Sequence, residues 1–120
     1  MNDRQRINEV LGLLMLQNNL LIQAGEACCT SCATHECTRD GLASGCEGYA
    51  YYHMQDAEAF DEQGTLRDVI HIGFGSLLNK EVGDDDVLIG HLVADRMRAA
   101  GFEVEWNGTY RERIGVRPRQ

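Results

Sequence analysis

Apolar positions near the N-terminus recur at helical spacing: Ile7, Val10, Leu11, Leu14 and Leu21 fall on one face, and Leu13, Leu16 and Leu20 widen it. A first helix is expected over residues 3–24, with Asn2 or Asp3 accepting a hydrogen bond from an unpaired N–H of the first turn. So broad a stripe needs cover, either a sheet or the matching face of a second copy in a homodimer. Gly25 ends this helix. A second, shorter helix is expected from Thr30 or Ser31 to about Arg39, followed by a glycine-rich connection through Gly41, Gly45 and Gly48.

From Tyr49 the period changes to two. Tyr49, Tyr51 and His53 share one face of a strand, and Ala50, Tyr52 and Met54 the other. In a second strand, Asp68 to Gly75, Ile70, Ile72 and Phe74 form the core face. Asp84, Asp85 and Asp86 then open a third helix, where acids complement the positive end, and Leu88, Ile89, Leu92, Val93, Met97 and Ala100 form its buried stripe. Gly101 supplies a left-handed cap. The end reads as a hairpin. A two-residue turn at Asn107 and Gly108 would set Arg111 on the core face opposite Val104. Val104 is therefore expected to face Ile114 and Glu105 to face Arg113, across a loop of five or more residues beginning at Asn107. The resulting order, α-α-β-β-α-β-β, predicts a single α+β domain over residues 1–120, with an antiparallel four-stranded sheet and helices packed on one face.

Composition narrows the function classes. A net charge of -8 opposes the basic face that nucleic acid requires, and it is repelled by anionic lipid. Arg111, Arg113, Arg117 and Arg119 are a local exception, read as partners for nearby acids. The longest apolar run, Val10 to Leu16, falls short of the roughly 20 residues of a membrane span. Gln17, Asn18 and Asn19 follow it, where a signal peptide would place small residues. An acidic cytoplasmic protein without nucleic-acid or membrane partners is expected. All five cysteines lie between residues 28 and 46, and in a reducing compartment an odd, clustered set reads as metal ligands or redox groups before structural disulfides.

Cys29 and Cys32 form a two-residue-spaced pair at the start of the second helix, where backbone N–H groups favour a thiolate. Thioredoxin-like proteins place such a pair after a strand, whereas a long helix is expected to precede it here. A structural zinc ion would draw two more ligands from Cys28, His35, Cys37, Cys46 and His53, yet no second closely spaced pair exists. Buried cysteines acting as small hydrophobes are the alternative. His53, Gln55 and Asp56 close the first strand with groups suited to a polar pocket, His53 being the natural acid or base; a histidine bonded to the nearby aspartate for structural reasons is the competing reading. Gly73, Phe74 and Gly75 are too short a glycine pattern for a phosphate loop.

The segments Cys28-Cys29 with Cys32-Ala33, Gly48 to Glu58, Phe74-Gly75, Ala100 to Phe102 and Val104 to Gly108 resemble a bacterial domain family of unknown function. That resemblance implies one α+β domain and directs attention to the cysteine and His53 motifs. The leading expectation is a binding module, for a small molecule or a protein, with a polar site formed by Cys28, Cys29, Cys32, His53, Gln55 and Asp56. The alternative is a thiol-redox or metal-binding protein using Cys29 and Cys32, with His53 as base or further ligand and zinc as the ion considered. The residues do not decide whether the protein is an enzyme.

Overall fold

The computed structural model describes residues 1–78 and 83–119. The chain forms α1 (Asp3–Asn18), β1 (Leu20–Ala24), α2 (Thr30–Ser44), β2 (Gly48–Tyr52), a short 3-10 turn (Asp56–Ala59), β3 (Ile70–Ser76), α3 (Asp84–Ala99), β4 (Glu103–Glu105) and β5 (Ile114–Arg117). The five strands make one mixed sheet in the order β1-β2-β3-β5-β4, with β1 and β2 parallel and every other pair antiparallel.

This corrects the four-stranded antiparallel sheet and the α-α-β-β-α-β-β order. The expected first helix divides in two. Asn2 caps α1 by accepting from the Gln5 N–H, and the Gln5 side chain bonds back to the Asn2 N–H. At the other end Asn19 turns left-handed (φ 54°, ψ 46°) and stops the helix. The run after it, Leu20 to Ala24, then pairs in parallel with β2. Leu20, Ile22 and Ala24 face the main core, and Leu21 faces a second cluster on the opposite side. A short continuous apolar run fits a helix or a strand equally well by period, and here pairing with β2 decides it.

Parallel neighbours need a crossover, and α2 provides it. It packs on the sheet face carrying Leu21, Tyr49 and Tyr51, with Ala33 and Cys37 turned inward. Helices α1 and α3 pack together on the other face, over Ala50, Tyr52, Ile70, Ile72, Ile114 and Val116. Helices therefore cover both faces of the sheet.

Helix α2 also runs beyond Arg39 to Ser44, and Gly41 is buried inside it because any Cβ there would collide with Leu77. Gly73 and Gly75 make room for aromatic rings across the strand pair: Tyr51 lies over Gly73 and Tyr49 over Gly75. In α3 the buried residues are Gly90, Val93, Ala94 and Met97, while Leu88 points to solvent.

The hairpin register shifts too. Val104 faces Val116 and Glu105 faces Gly115. Residues 106–113 form the loop, where Trp106 Nε1 donates to the carbonyls of Thr109 (3.0 Å) and Glu112 (3.1 Å). Arg117, rather than Arg113, pairs with Glu105 and Glu103. Among the described residues, no helix is long and apolar enough to cross a membrane.

Candidate functional site: a three-cysteine cluster

The turn between β1 and α2 is tied down at several points. Gly25 N–H donates to the Tyr52 carbonyl (2.9 Å), and Met54 N–H donates to the Ala27 carbonyl (2.8 Å). These bonds hold segment 25–29 against the end of β2 and deliver Cys29 to the N-cap position of α2. The cysteines thus follow a strand in a β-α-β crossover. The expectation that a helix precedes them, which had counted against a redox pair, is overturned by β1.

The sulfurs of Cys28, Cys29 and Cys32 all lie within 4.8 Å of one another. Cys28 Sγ is 3.6 Å from Cys29 Sγ and 3.4 Å from Cys32 Sγ. Cys28 is exposed and the other two are half-buried, so the triangle opens to solvent. All five cysteines are free thiols. Four zinc–sulfur bonds of about 2.3 Å in a tetrahedron separate the sulfurs by about 3.8 Å, and the two distances from Cys28 fall within a few tenths of an ångström of that spacing.

The three thiols are not equivalent. Cys29 is held below the usual thiol value, first by the backbone N–H of Cys32 at the open end of α2 and then by the Cys28 and Cys32 thiols. Cys32 is pushed up to about 12, because the Cys28 and Cys29 sulfurs hydrogen-bond to its protonated form and their charge opposes its own. The turn thus favours the ionised form of Cys29 and opposes that of Cys32. The cluster is capable of coordinating a metal ion, since soft thiolates are ligands for zinc and monovalent copper.

The other two cysteines stand apart. Cys37 is fully buried on the inner face of α2, and burial pushes its thiol up to about 12. Cys46 follows the far end of α2, a 15-residue helix about 22 Å long, beyond the reach of the cluster.

His53 is buried beside the start of α2 but lies outside the sulfur triangle. Its Nε2 is 3.2 Å from Thr30 Oγ1, and Asp56 N–H donates to its Nδ1 at 3.2 Å. The same Nδ1 lies 3.2 Å from Asp56 Oδ2, so the ring is held between Thr30 and Asp56. Asp56 Oδ2 accepts from the His53 backbone N–H (3.0 Å) and from Arg113 Nη1 (2.8 Å). Gln55 is exposed at the start of the 3-10 turn and lines a shallow groove with Asp56, Arg67 and His71. Five of the six candidate residues therefore divide into a sulfur triangle and a His53–Asp56 knot, bridged by Thr30, and Gln55 stands outside both.

Sequence reasoning gave the paired role to Cys29 and Cys32 and left Cys28 as an accessory. The signal for Cys28 was its four-residue separation from Cys32, which returns a side chain to the same side of a helix start. Arg113 carried no local signal, being 57 residues from Asp56.

The whole chain, residues 1–120, matches the family described as a domain of unknown function (DUF6891). The protein belongs to this family. No curated protein and no solved structure matches it. The DUF6891 match assigns no activity.

Proposed function

We propose that this DUF6891 protein binds one thiophilic metal ion at Cys28, Cys29 and Cys32. The observation that carries the reading is the convergence of three sulfurs within 4.8 Å on a turn held in place by the sheet. The lowered value of Cys29 supports it, since a thiolate and not a thiol is the ligand. His53 acts in this reading as a positioning residue, fixing Thr30 in the first turn of α2. The reduced protein, titrated with cadmium under nitrogen, should develop a thiolate-to-metal charge-transfer band that saturates at one equivalent. Cys32→Ala should lower the band and weaken its affinity, and Cys46→Ala should leave it intact. A wild-type protein with no band at excess cadmium would remove this reading.

A thiol-redox role is the second reading, favoured by the asymmetry between Cys29 and Cys32 and by the strand that precedes them. Oxidised glutathione would accept two electrons, leaving a Cys29–Cys32 disulfide and two molecules of glutathione. Peptide mapping that finds Cys29 and Cys32 still reduced at equilibrium with that oxidant would exclude it.

A further inference from the structure

We infer that the ion bound is copper(I) in three-coordinate thiolate ligation, carried as exchangeable cargo at the surface. This inference rests on the metal-binding reading above and specifies its ion. Three features of the site point to it.

The donor set is sulfur alone and stops at three. Among the described residues, the cluster includes no further histidine, cysteine, aspartate or glutamate. The imidazole of His53 already uses both nitrogens, one toward Thr30 and one toward the Asp56 N–H. A structural zinc ion takes four protein ligands in a closed tetrahedron, a zinc ion on three ligands adds water as its fourth, and calcium and magnesium take oxygen. Copper(I) is soft, monovalent and selected by thiolates, and three sulfurs complete its shell without water.

The turn has anchors of its own. The turn that presents the cysteines is fixed by backbone bonds to Tyr52 and Ala27, and α2 is anchored by buried Ala33 and Cys37 against Tyr51. Such anchors let the protein, and not the ion, hold the turn, which is what exchangeable cargo requires.

The site is open. Cys28 is exposed, so an incoming thiolate can reach the ion from solvent. In such an exchange the new copper–sulfur bond forms before one of the three is released. Copper remains monovalent throughout, and the departing thiolate keeps its electron pair.

The test uses the full, reduced chain under nitrogen, with copper(I) supplied as its bicinchoninate complex and zinc offered in competition with pyridylazoresorcinol. One equivalent of copper should leave the chelator, and X-ray absorption at the copper edge should show three sulfur scatterers. Loss of an outer partner alone costs a metal site about 10–100-fold, so replacing Cys28, Cys29 or Cys32 singly by Ala should weaken copper binding by at least that factor. Cys46→Ala should change nothing, and metal-free protein should keep its far-ultraviolet circular dichroism. If Cys28→Ala holds copper as tightly as wild type, a two-sulfur site carries the ion and the inference falls. Tight retention of zinc, with tetrahedral cobalt bands on substitution, also overturns it while leaving the metal-binding reading standing. Failure to bind copper, zinc and cadmium alike would overturn both.

Discussion

Asp56 is the most informative single residue to perturb, because one carboxylate oxygen ties three parts of the chain together. Oδ2 accepts from the His53 N–H at 3.0 Å and from Arg113 at 2.8 Å, and the side chain is only 7% exposed. Asp56→Ala leaves a buried backbone donor and a half-buried guanidinium without their partner. Hydrogen bonds to charged groups contribute about 1.5–3 kcal/mol each, and removing one partner of a buried pair costs about 3–5 kcal/mol. The Arg113 side chain is 30% exposed, so water recovers part of that loss. A destabilisation of about 3 kcal/mol is expected for Asp56→Ala. Arg113→Ala, which leaves the bond from His53 intact, should cost about 1 kcal/mol. Asp56→Asn retains an acceptor for that backbone donor and should fall between the two. Urea unfolding followed by tryptophan fluorescence measures each, with the denaturant slope unchanged if only the native state is affected. Equal losses for Asp56→Ala and Arg113→Ala would refute the division proposed here, as would an Asp56→Ala loss under about 0.5 kcal/mol.

Two further outcomes test the sheet and the buried thiol. Gly73→Val places a side chain where the Tyr51 ring lies, and should destabilise by about 1–3 kcal/mol or more through overpacking, measured by thermal melting. Cys37 has a folded-state value raised from 9.0 to about 12 by burial, so its contribution is complete below pH 9 and is lost as pH rises toward 12. The slope attributable to this thiol is at most about 1.4 kcal/mol per pH unit, and Cys37→Ala should flatten the alkaline limb of a stability–pH curve.

Much of the secondary structure was legible in the chain. The cap at Asn2, the alternation from Tyr49 to Tyr52 and Ile70 to Phe74, and the acid-led start of α3 each follow from short-range physics, in which the side chain and its immediate backbone decide the outcome. The location of the chemistry was legible too, since only one stretch holds cysteines. What remained undetermined depended on partners distant in sequence. Leu20 to Ala24 is a strand because β2 stands beside it, and Val104 faces Val116 because the Trp106 loop sets that register. The sulfur triangle belongs to this second class. Spacing brought Cys29 and Cys32 to a helix start, but the bonds from Gly25 to Tyr52 and from Met54 to Ala27 set the turn that brings Cys28 within reach of both. Local sequence chooses the element and its caps, whereas the direction in which three neighbouring thiols point is decided by the strand end to which their turn is fastened.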